Sequence, residues 1–480
     1  MPGATVTEPA DLGVLEAAAE LRARRLSARE LLAAVLARIE ALGGDAPTFE
    51  GAADTVNAWA RLYPERAEAE ARAADERIAR EGEATPLLCG VPIGLKDLYS
   101  VKDLPLTASS RVLADNVAAE DSAVWTRLAA DGMVLVGHTH THEFAFGGTS
   151  DQVGNPWALD RSAGGSSGGS AAALAARMVP AATGTDTAGS LRIPAALSGV
   201  SSIKATHGRV PMTGIIPLAA SFDHAGPMAR SLADCSALLT TMAAGGSDTT
   251  PLMPPPAAMG ELASTPRPGT RPLEGLRVGV LPPPPDVDLD PDVADGVDFA
   301  AAACSRLGAH VIEARRPALA SLDDFYLMVG VEVWSFHERF AHRAEHYRPF
   351  LREILAGVSE AGPAAEYVRA QVRRAEFTAV WEHWLADENV DLLLEATVPM
   401  PAPVRTLGYE PVLPTPDPLI LLTFVWDMTG FPAVALPAGV GSRSGLPVGV
   451  SLIAPRGAEA SLVQAGIDLQ DHELEPPRVG

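Results

Sequence analysis

The stretch GGSSGGSAAALAARMVPAATGTDTAGSLRIP, residues 164–194, decides how this chain is read. Its first seven positions hold only glycine and serine, and a second small-residue turn, Gly189-Ser190, lies near its end. A glycine-rich loop running into a helix can hold an anion with its backbone N–H groups. The segment has neither a G-x-x-x-x-G-K-[ST] loop nor a G-x-G-x-x-G, so a nucleotide role is set aside. Gly164-Gly165-Ser166-Ser167-Gly168 does satisfy G-x-S-x-G, the nucleophile elbow, which would make Ser166 the nucleophile. An elbow needs a strand immediately before it, and residues 155–163 read as a loop. A third reading uses both serine clusters and a lysine. A serine hydroxyl attacks poorly until a base takes its proton, and lysine serves as that base when burial lowers its pKa. Lys96, in the apolar run Val91-Pro92-Ile93-Gly94-Leu95-Lys96-Asp97, has the setting for it.

Outward from this stretch the pattern alternates. Residues 12–43 read as two helices, the second opened by a Ser27-x-x-Glu30 capping box. Residues 65–80 read as a surface helix, 87–97 as a strand broken by glycine and proline, and 122–130 as a helix. Met133 to Gly137 is an unalternating apolar run, the mark of a strand covered on both faces. Ser170 to Met178 reads as a small-residue helix. Strand, helix and strand follow at 276–281, 291–307 and 310–313, and 320–387 is mostly helical. Val390 to Leu394 and Val448 to Ile453 read as further strands. Pro-rich loops fall at 253–256 and 282–285. The rhythm predicts an α/β fold: one large domain over 1–480, with a central mixed, mostly parallel sheet flanked by helices. An N-terminal helical segment spans 1–85 within it.

The 480 residues are 47% apolar and 20% charged, enough for a large core, and carry a formal net charge of −23. That charge argues against nucleic acid and anionic membranes as partners, since both select basic faces. No apolar run reaches the roughly 18 residues that span a bilayer. Cys89, Cys235 and Cys304 are scattered and form no disulfide framework or CxxC pair. A soluble, cytoplasmic protein is expected.

The chain resembles the amidase signature family. The resemblance rests on an ordered set: Gly90 to Asp97, Asn155-Pro156-Trp157, Gly164 to Ser170, Gly184 to Pro194, and Ser221 to Met228. Weaker similarity continues through Gly275 to Val280, Thr429 to Pro432 and Gly445 to Gly449. It implies a serine-dependent amidohydrolase without metal or cofactor, with 87–236 as catalytic core and 310–430 shaping the substrate pocket. By the resemblance, Lys96, Ser166 on a cis peptide bond, and nucleophilic Ser190 act in series. Backbone N–H groups of Thr187, Ala188, Gly189 and Ser190 are the implied oxyanion donors. Ala188 stands where the family more often has glycine. Ser167, Asp186 and Arg192 are given supporting roles, and Phe144, Phe146, Gly147 and Gly148 are candidates for the acyl pocket. The expected substrate is a small, neutral, partly apolar molecule with an amide, anilide or carbamate bond. Oligomeric state is left open, a homodimer included.

Two alternatives stand beside this. Gly137-His138-Thr139-His140-Thr141-His142-Glu143 follows an expected strand; alternate residues of a strand share a face, so His138, His140 and His142 could converge on a metal as in metal-dependent amidohydrolases. The family also includes the glutaminase component of tRNA-dependent amidotransferases. That component usually carries glutamine after the arginine of the nucleophile loop, where this chain has Ile193.

Overall fold

The structure, a computed structural model, describes residues 8–43, 48–243, 271–358, 364–406 and 416–479. The Pro-rich stretch at 253–256 lies outside them. The strands are β1 (Trp59–Leu62), β2 (Pro92–Lys96), β3 (Val134–Thr139), β4 (Gly154–Asn155), β5 (Ala158–Ser162), β6 (Ala181–Asp186) and β7 (Ser201–Lys204). They continue with β8 (His224–Ala229), β9 (Arg277–Val280), β10 (His310–Glu313), β11 (Leu392–Ala396), β12 (Ala433–Val440) and β13 (Pro447–Ile453). Eleven of them form one sheet in the order β1-β3-β2-β6-β8-β7-β12-β13-β11-β9-β10, and β4 and β5 form a separate hairpin.

The fold is the single large α/β domain expected, a mixed sheet flanked by helices. Parallel pairing does not dominate it, however. Among the described residues, β3-β2-β6 and β11-β9-β10 are parallel, whereas every pairing from β6 through β8, β7, β12 and β13 to β11 is antiparallel, as is β1 with β3. An apolar run reports that both faces of a strand are covered; it does not report direction. β13 and β11 are buried along their whole length although their mutual pairing is antiparallel.

The helix at Ala28–Gly43 starts at its capping box: Ser27 Oγ accepts the Glu30 N–H at 3.2 Å, and the Glu30 carboxylate accepts the Ser27 N–H at 2.9 Å. The helices expected at 65–80, 122–130 and 291–307 form at Pro64–Glu81, Ala123–Ala130 and Pro291–Arg306. No helix among the described residues is long and apolar enough to cross a membrane.

Candidate active site

β2 and β6 run parallel side by side, Ile93 opposite Ala181 and Gly94 opposite Ala182. Their carboxyl ends therefore share an edge, the usual place for a site in an open α/β sheet. That edge carries Lys96 from β2 and Thr185 and Asp186 from β6. The eight-residue helix Gly168–Ala175 is wholly buried, and its row of alanines lets it lie close against the sheet. Its leading turn brings Ser166 and Ser167 over the same edge. A side chain at Gly165 would strike the Thr149 backbone, so only glycine allows this approach. The Gly165–Ser166 peptide bond is cis.

Lys96 has no solvent exposure. Its Nζ lies 2.7 Å from Ser166 Oγ, 2.9 Å from Ser167 Oγ and 2.8 Å from Thr185 Oγ1. Burial lowers its pKa to about 7, against the opposing pull of Asp186 and Asp223. A neutral amine has two N–H groups and one lone pair, so of its three hydroxyl partners two accept and one donates.

Ser166 is fully buried and Ser190 is 7% exposed, so of the two hydroxyls Ser190 is the one a substrate carbonyl can reach. The Ser167 N–H donates to the Ser190 carbonyl at 3.3 Å, joining the two serine turns through backbone. The hydroxyls of Ser166 and Ser190 share no hydrogen bond in this structure. The Ser166 carbonyl is held by the His142 N–H at 3.0 Å and by Ser150 Oγ at 3.1 Å.

One expected oxyanion donor is engaged elsewhere. The Gly189 N–H donates to Asp186 Oδ1 at 2.5 Å, because Asp186 turns back over the loop that follows its own strand. The N–H groups of Thr187, Ala188 and Ser190 make no bond among the described residues. Asp186 also accepts the Leu191 N–H at 3.3 Å and a two-pronged contact from Arg192, Nε at 2.8 Å and Nη2 at 3.0 Å. Burial raises the Asp186 pKa, but the Arg192 guanidinium, joined by Lys204 and the Gly189 N–H, outweighs it and holds the carboxyl below its ordinary value. Arg192 further donates to Asp427 Oδ2 at 2.6 Å and to the Thr423 carbonyl at 3.0 Å, all fully buried. Thr187 Oγ1 donates to Asp223 at 2.5 Å.

The acyl-pocket candidates separate. Phe144 has no exposure; its ring packs with Phe336, His337, Phe340 and Tyr347, so it belongs to an aromatic core and lines no opening. Phe146 and Gly147 are half-buried, Phe146 facing Phe350. Gly148 is buried, its N–H donating to Asp417 at 3.2 Å. Trp426 is core as well, enclosed by Trp381 and Phe431.

The histidines do not converge. β3 ends at Thr139, so the alternation that would align 138, 140 and 142 stops after the first of them. His138 uses both ring nitrogens, on the Tyr63 hydroxyl and the Tyr99 carbonyl, and His140 Nδ1 meets Ser109 Oγ. Among the described residues no group of three His, Cys, Asp or Glu side chains could hold a metal ion. Burial, with Arg348 adding to it, lowers His140 and His142 to about 3. What this stretch does supply is backbone: His142 holds Ser166, and the His140 carbonyl accepts the Gly169 N–H at 3.1 Å.

Residues 155–163, expected as loop, hold the end of β4 and all of β5, which pair as a hairpin. It stands apart from the large sheet, so Ser166 does not sit on the tip of a sheet strand as an elbow nucleophile does. Thr185, Asp223, Thr423 and Asp427 went unassigned in sequence. Thr185 and Asp223 lie inside the family-like segments, but nothing local tells a hydroxyl or carboxylate aimed at the site from one aimed elsewhere.

Comparison with known proteins gives the family and the fold. The family model described as Amidase matches residues 47–463, and the chain belongs to that family. It is an enzyme of the class that hydrolyses carbon–nitrogen bonds. It is 38% identical to a glutamyl-tRNA(Gln) amidotransferase component of Cupriavidus necator, over 92% of this chain and 93% of that one. A solved vestigial protein complex, described as revealing the evolutionary origins of an s-triazine catabolic enzyme, is 31% identical, with a TM-score of 0.83 over 98% of this chain and 100% of that one. A 6-aminohexanoate cyclic dimer hydrolase solved with substrate is 28% identical, with a TM-score of 0.82 over 98% of each chain.

Proposed function

We propose that the protein is a stand-alone serine amidohydrolase that cleaves a carboxamide, anilide or carbamate through an acyl-enzyme on Ser190. The observation that carries this reading is the buried Lys96 amine, 2.7 Å from Ser166 Oγ and lowered by burial to about 7. Neutral Lys96 takes the Ser166 proton while Ser166 takes the Ser190 proton, and Ser190 Oγ attacks the carbonyl carbon. For this hand-over the two hydroxyls must close to hydrogen-bond range. The Thr187, Ala188 and Ser190 N–H groups stabilise the oxyanion, each such donor being worth about 2.7–4 kcal/mol in related chemistry. The tetrahedral adduct collapses, the C–N bond breaks, and the leaving nitrogen takes the proton back along the relay. Water then attacks the ester by the same route and regenerates Ser190.

The half-buried Phe146 and Gly147 are the remaining acyl-side candidates. The described part of 310–430 is the proposed opposite wall, because Phe325 packs with Phe222, beside the Asp223 that holds Thr187, and Phe424 packs in turn with Phe325. The test is a panel of aryl amides, primary amides, esters and carbamates, followed across pH with the best substrate. Since protonated Lys96 cannot act as base, kcat/KM is expected to fall about tenfold per pH unit below about 7 and to level off above it. A rate that peaks in acid contradicts the reading.

The 38% identity to an amidotransferase component favours a second reading, a glutaminase that passes ammonia to a partner. Against it stands Ile193, buried and apolar under Gly189. Glutamine is expected to be a poor substrate and the native protein to purify without other polypeptides; strong glutaminase activity in a stable complex would reverse the order.

A further inference from the structure

Outside the relay, the nucleophile loop is gripped from one helical turn. The short helix Phe424–Thr429 is preceded by Thr423, whose side chain makes no cap bond to the helix it precedes. Thr423 Oγ1 instead donates to the Ala188 carbonyl at 2.5 Å, with the Ile420 carbonyl at 3.2 Å as a second acceptor. The Thr423 carbonyl accepts Arg192 Nη1 at 3.0 Å, and one turn later Asp427 accepts Arg192 Nη2 at 2.6 Å. Arg192 holds Asp186, and Asp186 takes the N–H groups of Gly189 and Leu191, the residues on either side of Ser190.

The peptide plane between Ala188 and Gly189 is therefore clamped on both edges, its oxygen by Thr423 and its N–H by Asp186. A plane held on both edges gives the flanking Ala188 and Ser190 N–H groups a fixed base, leaving them only the dihedrals of Ala188 and Gly189 to turn about. Gly189, at φ 129°, admits Thr423 this closely; any side chain there would collide with Thr423 Oγ1.

We infer that Thr423 and Asp427 are positioning residues for acyl transfer, fixing the nucleophile loop and its oxyanion donors from a helix that does not touch the relay. The inference rests on the serine reading above. Displacing reacting groups by an ångström costs on the order of 100-fold. Thr423→Val keeps the shape and removes only the hydroxyl, and Thr423→Ser restores it. Thr423→Val is expected to lower kcat about 10- to 100-fold with KM within about twofold, and Thr423→Ser to recover most of the loss. Asp427→Asn is expected to lower kcat at least about tenfold. A Thr423→Val enzyme with more than half the wild-type kcat overturns the inference. So does a loss confined to KM, or a Thr423→Ser enzyme no better than the valine variant.

Labelling of residue 190 by a fluorophosphonate, followed by mass spectrometry, separates the two levels. No label on Ser190 in the wild type sinks the serine reading and this inference with it. Equal labelling rates in wild type and Thr423→Val sink the positioning role alone.

Discussion

Ser190→Ala is expected to lower turnover of an amide by about 10⁴- to 10⁶-fold, the range seen when a serine nucleophile is deleted from a concerted set. The expectation follows from exposure and connectivity. Ser190 is 7% exposed and its hydroxyl makes no hydrogen bond among the described residues, whereas Ser166 has no exposure and is tied to Lys96. A group that must bond to carbon needs access, and a group that only passes a proton does not. Ser166→Ala is expected to cost less than Ser190→Ala but to share its effect. The double variant should be little worse than Ser190→Ala, because members of one relay do not contribute independently. The measurement is kcat on one anilide for the two single variants and the double. Full activity in Ser190→Ala with none in Ser166→Ala would falsify the assignment and return the elbow reading.

The second large effect is that of Lys96→Met. Loss of the base is expected to lower kcat about 10²- to 10⁴-fold and to flatten the pH profile near 7. It also changes stability in a definite direction. The folded-state pKa of Lys96 is about 7 against an ordinary value of 10.5. Between those values the unfolded chain binds a proton that the folded chain does not. Stability from this site therefore rises with pH across that window, by up to about 1.4 kcal/mol per pH unit. Below about 7 both states are protonated and the slope vanishes. The difference in unfolding free energy between wild type and Lys96→Met, from denaturant titrations at pH 7 to 10, is expected to grow in favour of wild type as pH rises. A pH-independent difference means the amine keeps its ordinary pKa when folded and cannot serve as base at neutral pH.

Much of the candidate site is legible in sequence because its chemistry sits in two dense local patterns. Lys96 ends an apolar strand, and the serines occupy glycine-rich turns that few other structures require. The strands between these patterns are harder to read. β6 is Ala181-Ala-Thr-Gly-Thr-Asp186, small and polar, with little intrinsic strand preference. β8 contains Gly226-Pro227, which reads as a break. β7 pairs with β8 only at Met228 and Ala229, so Pro227 lies outside the β7–β8 ladder. These two strands deliver Thr185 and the approach to Asp223, so missing them hid one of the three hydroxyls on Lys96 and the carboxylate that holds Thr187.

By itself the sequence determined the α/β class, the amidase relationship and the candidate lysine and serines of the relay, since each depends on residue type and short spacing. Tertiary structure alone decided the rest. Sheet direction, the burial of Phe144 away from any pocket and the hold of Thr423 and Asp427 on the nucleophile loop join residues up to 235 positions apart in the chain, as Arg192 and Asp427 are. Such contacts are set by how strands and helices stack around a common core, and a side chain's neighbours across that core leave no mark on the residues beside it in sequence.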